Sequence, residues 1–294
     1  MSAKYAFIRG EEGNYSVRCM CRWAGVSRAG YYEWRDRPDS PWAVWRRQLG
    51  DLIEAVFGDS DGTYGYRRIH AALRRLGRWC DPQTVRSIMA ERGLVACQPR
   101  PKGPVTTVSS DAGTIPDLVR RDFTAPEPGL KLVGDITYLA TWQGWVYLAT
   151  VLDCYSKKVV GWAMADHMRT SLVTDALGMA VKNGHIREGV TIFHSDRGTQ
   201  YTSSEFAEFT ARVGITRSVG RTGICYDNAW AESFNATLKV ERVHRTVYPT
   251  REHAMKDVAR YIELRYNQKR LHSALEYRTP NEVEQTWYAS RVAA

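Results

Sequence analysis

The stretch from residue 131 to residue 240 constrains the fold most, because its apolar residues change period in a set order. Alternation with a period of two marks strands at 131–140, 145–153 and 158–165, joined by turns at Gln143-Gly144 and Ser156-Lys157. A helix follows, with Leu172, Val173, Ala176, Leu177 and Ala180 inward, Thr170 as its cap and Gly184 as its stop. A strand at 190–195 comes next. Ser203 or Ser204 then caps a helix through Phe206, Phe209 and Val213 that ends at Gly214. A strand at 215–219, a loop with Gly220 and Gly223, and a helix with Trp230, Phe234 and Leu238 at i, i+4, i+8 complete the series. The order β-β-β-α-β-α-β-α describes an α/β unit with five strands in one sheet and helices against it.

Three acids fall at telling places in that series. Asp135 lies mid-strand in Gly134-Asp135-Ile136-Thr137-Tyr138, and Val133, Asp135 and Thr137 share a face. Asp196 closes the fourth strand in His194-Ser195-Asp196-Arg197-Gly198. Glu232 opens the last helix, 35 residues separating it from Asp196, and Lys239 lies two turns further on the same face. Each has a bland explanation: a strand-edge acid, a turn acid, a dipole-compensating acid worth up to about 1 kcal/mol. A carboxylate among Val and Ile on an inner strand is nevertheless costly unless paired. Two unit charges about 4 Å apart repel by roughly 4 kcal/mol at an effective dielectric near 20. A divalent cation reverses that cost, and an all-oxygen donor set suits Mg²⁺ or Mn²⁺. Two such ions make the clamp used for in-line phosphoryl displacement.

These stretches resemble the D, D-35-E core of the retroviral-integrase-like transposases. More narrowly, they resemble the second-frame (orfB-type) product of the insertion-sequence-three family. The resemblance rests on the segments just quoted and on Gly144-Trp145-Val146-Tyr147-Leu148, Gly198-Thr199-Gln200-Tyr201 and Cys225-Tyr226-Asp227-Asn228-Ala229. Glu232-Ser233-Phe234 with Leu238-Lys239, and Tyr266-Asn267 with Arg270, His272 and Leu275, complete it. It implies a ribonuclease-H-like catalytic core in which Asp135, Asp196 and Glu232 are catalytic and hold two divalent metal ions, Mg²⁺ or Mn²⁺. Asp135 is expected to bridge the ions, Asp196 to bind one and Glu232 the other. Asp227 is expected to cap the Glu232 helix and Asn228 to help hold the active-site end. Asp153 and Asp166 read as turn or surface acids, and His194 as a packing or hydrogen-bonding residue rather than a base.

Around this core the chain is helical and basic. Residues 1–110 hold 18 Lys and Arg against 11 Asp and Glu, residues 111–240 hold 13 against 14, and residues 241–294 hold 10 against 7. Basic flanks around a neutral centre suit DNA-holding arms. Residues 1–40 form a helix-turn-helix-like segment: Ser16 and Ser27 cap two short helices, and the second presents Tyr31, Tyr32 and Trp34 beside Arg28. Residues 41–97 read as a second helical module, which the resemblance implies is a helix-turn-helix-like DNA-binding domain. Trp45, Leu49, Leu52, Ile53 and Val56 make one apolar face there, and Leu73 and Leu76 another. Asp81-Pro82 starts its last helix, the natural groove reader. Arg67, Arg68 and Arg86 are its expected DNA contacts. Six of the eleven prolines fall between 99 and 128, so 98–128 reads as an extended linker. The catalytic core spans 129–240, and 241–294 is its helical extension, with Ala254, Val258, Tyr261, Ile262 and Leu264 along one helix. Arg260, Arg265, Lys269 and Arg270 there can hold phosphates or pack the helix onto the core. Arg270 is taken as a DNA contact. Lys239 can touch a terminal phosphate or pair with Glu232 or Glu241.

The six cysteines show no CxxC spacing and read as reduced cytosolic thiols, and no run reaches 18 apolar residues. No apolar signal region opens the chain, so the expected location is the bacterial cytosol. The sequence thus points to a DNA transposase that nicks 3′ ends and transfers strands. Its expected partners are terminal-repeat and target DNA, further copies of itself on DNA, and an upstream-frame product, since no sustained heptad repeat is present. The alternative from another class is a catalytically inactive DNA-binding regulator, or a partner of a fused transposase.

Overall fold

A computed structural model describes residues 1–98, 115–220 and 228–292. Most of the expected linker, the loop 221–227 and Asp227 within it lie outside the described residues. The chain divides into two compact units, Met1–Ala55 and Val56–Ala294.

The first unit holds α1 (Ser2–Gly10), α2 (Val17–Ala24), α3 (Arg28–Asp36) and the start of α4 (Pro41–Asp59). Ser16 and Ser27 cap α2 and α3 as expected, each accepting an N–H bond at 3.4 Å. Helix α1 has no counterpart in the sequence reading. It carries two buried residues, Tyr5 and Ile8, into a core with Met20, Cys21 and Tyr31. The α3 aromatics could serve DNA contact or an ordinary helical-hairpin core, and Tyr31 takes the core: it is fully buried, and its hydroxyl donates to Glu12 at 2.6 Å. An aromatic on a short helix serves either face, and the unforeseen α1 supplies the partner that buries this one.

The second unit continues with α5 (Tyr66–Arg75) and α6 (Pro82–Glu91). Asp81 caps α6 by accepting from Gln83 N at 2.7 Å, with Pro82 in the first turn. Leu73 is buried, but Leu76, expected inward, is exposed because α5 has already ended at Arg75. Trp45 is likewise exposed while Leu49 and Ile53 are buried.

The sheet is built from β1 (Lys131–Thr141), β2 (Gly144–Asp153) and β3 (Val159–Ala165), then α7 (Thr170–Lys182), β4 (Ile192–Ser195), α8 (Thr199–Thr202), α9 (Ser204–Arg212) and β5 (Thr216–Val219). Every strand falls within two residues of its expected limits. Strand order is β3-β2-β1-β4-β5, with β1, β2 and β3 antiparallel and β4 and β5 parallel to β1. Strand β4 pairs with β1 only from Lys131 to Val133, so the edge of β1 beyond that point is left unpaired by β4. Ser203 caps α9 through Phe206 N at 3.2 Å. Thr170 does not cap α7: it is the first helical residue, and its hydroxyl donates to Ser203 Oγ at 3.3 Å.

Two cores flank the sheet. One joins Val133, Leu139, Leu148 and Leu152 to α10 (Ala229–Glu241) and α11 (Arg251–Arg260); the other joins Leu132, Val151 and Phe193 to α7 and α9. Gly134 has no tolerated substitute here, because a Cβ would lie 2.3 Å from the Phe193 ring. After α11 the backbone makes a π-helical turn, Tyr261–Tyr266. The extra residue rotates the face, so Tyr261, Ile262 and Tyr266 are buried and Leu264, expected inward, is exposed. Helix α12 (Pro280–Val292) ends the described chain.

The residues of Tyr266-Asn267…Arg270…His272 fasten this extension to the sheet. Asn267 receives Val159 N and donates to Val159 O, both at 3.0 Å, as a neighbouring strand would. The Tyr266 ring meets Phe234 of α10 edge-on at 4.7 Å. Residues 56–97 belong to the same unit because their side chains reach this extension. Tyr64 donates to Lys269 O and accepts from Leu271 N, Arg68 donates to Leu271 O, and Arg75 pairs with Glu282.

Candidate active site

Three elements bring the acids together. Strand β1 carries Asp135, the end of β4 delivers Asp196, and the first turn of α10 carries Glu232. Asp135 is half-buried. Burial, then the charge of Asp196 and to a lesser degree that of Glu232, push its carboxyl up to about 7. Asp196 lies at the exposed rim and accepts Gly198 N at 3.0 Å, yet the protein around it also raises its carboxyl. Asp135 therefore senses both other acids, 61 and 97 residues further along the chain. Among the described residues, no three His, Cys, Asp or Glu side chains are already gathered as a cation cage. The donor set is all oxygen, and a carboxyl held near 7 by burial and by its anionic neighbours is one that a cation would return to the ionised form. On those grounds Asp135, Asp196 and Glu232 fit divalent Mg²⁺ or Mn²⁺.

Two asparagines tie α10 to β1. Asn228, in the N-cap position, makes no cap bond; its amide donates to Gly134 O at 3.1 Å. Asn235 donates to Asp135 Oδ2 at 2.8 Å. Asn235 escaped the sequence reading. Its signal was present, since it lies three residues after Glu232 on the same helix face, in line with Lys239. Tyr201 is a second residue that was not singled out as functional: it is buried, and the charges of Asp135 and Asp196 help to raise its hydroxyl pKa. His194 behaves as expected. It is fully buried and shares a 2.8 Å hydrogen bond with Ser218 Oγ.

The remaining sites sort by exposure. Lys239 Nζ stands 4.8 Å over the Tyr138 ring. Glu241 is committed elsewhere, to Arg270 at 2.7 Å. Arg270 is only 6% exposed, and its guanidinium is bound to Glu241 rather than open to a phosphate, which corrects its reading as a DNA contact. Arg68 is half-buried and turned to Leu271 O and Glu241, so it too serves the fold. Arg28, Arg67 and Arg86 are exposed, and the last two both lie over the Tyr66 ring, at 5.5 and 5.9 Å. Of the turn and surface readings of Asp153, the turn one holds: it is buried and accepts from Ser156 N and Ser156 Oγ in the turn after β2, and from Gly129 N. Asp166 is an exposed acid paired with Arg251. Burial and then the positive charge of Arg270 lower the His272 pKa and keep the ring neutral.

Residues 125–225 match the family model described as Integrase core domain, a second model of that description matches 213–280, and one described as HTH-like domain matches 45–102. Fold and site thus define an integrase-core protein, a class of polynucleotidyl transferases. The chain is 36% identical to the Transposase InsF for insertion sequence IS3A of Escherichia coli (strain K12), over 96% of this chain and 98% of that one. It is 37% identical to the Transposase for insertion sequence element IS904 of Lactococcus lactis subsp. lactis (strain IL1403), over 84% of this chain and 98% of that one. The chain belongs to the IS3 family of transposases. Among solved structures it is similar to the HTLV-2 integrase catalytic core domain in complex with magnesium (dimeric form), with 17% identity and a TM-score of 0.42 over 54% of this chain and 98% of that one.

Proposed function

We propose that this transposase nicks the 3′ ends of its insertion sequence and joins them to target DNA at one site formed by Asp135, Asp196 and Glu232. The observation that supports the reading is the Asp135 carboxyl, raised to about 7 by burial and then by the charges of Asp196 and Glu232. Two divalent cations, when bound, would supply a lowered pKa for the attacking hydroxyl and charge neutralisation at the leaving oxygen. Asp135, Asp196 and Glu232 would hold them. Asn235 orients Asp135 through Oδ2, and Asn228 keeps the start of α10 against β1. Lys239, two turns along that helix, suits a DNA phosphate. Arg67 and Arg86, grouped on Tyr66, and Arg28 in the first unit suit further phosphates. No helix among the described residues is long and apolar enough to cross a membrane, and the reading places the protein in the cytosol. Multimers on paired DNA ends and an upstream-frame partner belong to the same proposal.

A branched DNA that mimics the strand-transfer product tests it, because resolving that branch needs no end recognition. With Mn²⁺, the wild type is expected to resolve the branch and Glu232→Gln to fail. Resolution by both proteins would remove Glu232 from the site.

A further inference from the structure

The hairpin that carries Asp135 ends in an exposed aromatic cluster that the site described above does not use. Tyr138 is 55% exposed, Trp142 77% and Trp145 49%. Tyr138 and Trp145 meet edge to face at 5.0 Å. The turn between them is firmly held. Thr141 Oγ1 donates to Gly144 O at 2.6 Å and accepts from Gln143 N, Trp142 N bonds to Tyr248 O at 3.1 Å, and Gln143 Oε1 accepts from Arg251 N at 3.1 Å. A turn tied down on both sides keeps these rings in solvent at a cost in exposed apolar area. Cations stand beside it: Lys239, on the helix of Glu232, lies over Tyr138, and the Arg251 guanidinium, paired with Asp166 at 3.6 Å, reaches to within 3.0 Å of where a Cβ on Gly144 would stand.

We infer that Tyr138, Trp142 and Trp145 form a stacking surface for unpaired bases of the DNA strand that enters the active site, with Lys239 on its phosphates. The inference rests on the DNA-joining reading above. Measured along β1, Tyr138 lies three residues, about 10 Å, beyond Asp135, and Ala140, the register partner of Trp145, about 17 Å; alternation puts both on the strand's other face, where Lys239 of the Glu232 helix reaches Tyr138. At about 3.4 Å per stacked nucleotide the rings serve bases about three to five positions from the scissile phosphate. Aromatic faces beside cations suit nucleic-acid strands, because every base has a π-face and every linkage a negative charge.

The test uses the full chain and two DNAs of one sequence: a blunt duplex, and the same duplex with a five-nucleotide single-stranded extension carrying 2-aminopurine. Wild type is expected to bind the extended DNA more tightly and to quench its fluorescence. A Trp142→Ala, Trp145→Ala variant is expected to lose about tenfold in affinity for the extended DNA alone, and the corresponding double Phe variant to retain most of it. Equal affinity of wild type and Ala variant for the extended DNA, or an equal loss on both DNAs, would overturn the inference. So would a change in sedimentation, which would make the cluster an interface between copies. Branch resolution by wild type alongside either failure leaves the active site standing and removes only the stacking surface; no DNA binding by wild type removes both.

Discussion

Asp135 carries the clearest consequence at the scale of single residues. Its folded pKa of about 7 exceeds the ordinary Asp value, so between about pH 4 and 7 the folded chain holds a proton that the unfolded chain has lost. Stability contributed by this group is therefore present at low pH and falls as pH rises through that window. Metal-free Asp135→Asn is expected to melt above wild type at pH 8, by about 2–4 °C for each kcal/mol removed, with the gap closing towards pH 4. Mg²⁺ should raise the wild-type midpoint more at pH 8 than at pH 6 and leave the variant unmoved. Thermal scans with and without Mg²⁺ decide this, and equal shifts for both proteins would refute it. Asn235→Ala removes a hydrogen bond to a charged group, a loss of about 1.5–3 kcal/mol. If that loss appears in the transition state, branch resolution by the folded protein slows about 10- to 150-fold, while the melting temperature falls by about 3–12 °C. A rate equal to wild type would mean that Asn235 does not position Asp135.

At the scale of elements, α10 links the site to the rest of the second unit. Its first residues are held to β1 by Asn228, and its last, Glu241, enters a buried group with Arg270, Tyr261 and Arg68. Burial alone would raise Glu241; the charge and hydrogen bonds of Arg270, with the Tyr261 hydroxyl, outweigh it and hold the carboxyl below its ordinary value. Its stabilising share is present above the unfolded pKa and is lost as pH falls through the folded one. Arg270→Ala leaves that carboxylate buried without its partner and is expected to cost about 3–5 kcal/mol. Urea unfolding would show this, and an unchanged midpoint would contradict the buried pair. The five strands and the capped helices α2, α3, α6 and α9 were legible in sequence, because period and caps are local; α1 and the short α8 were not. The π-turn was not. It shifts Leu264 outward through one extra backbone residue that no side-chain pattern records.

For the whole molecule, the distribution of charge matters more than its sum. The net charge is +9, yet buried arginines such as Arg270 are neutralised within the fold. The exposed ones that gather on Tyr66 are the candidates for DNA. Arg67→Ala and Arg86→Ala are each expected to lower the salt slope of DNA binding by about 1. Arg270→Lys, wherever it remains folded, is expected to leave that slope unchanged. Anisotropy titrations from low to moderate salt test both, and a slope that falls with Arg270 but not with Arg67 would reverse the assignment.

The sequence by itself determined the order of the strands and the strand limits, since each depends on local period within a few residues. Tertiary structure alone decided which polar residues face the chemistry. Arg67 and Arg68 are neighbours in one helix, yet one lies open over Tyr66 and the other turns to Glu241 and Leu271. Asn235 becomes a partner of Asp135 only because α10 packs beside β1. Burial and pairing depend on what arrives from a hundred or more residues away, and a charged or amide side chain reads the same in sequence whichever partner it meets.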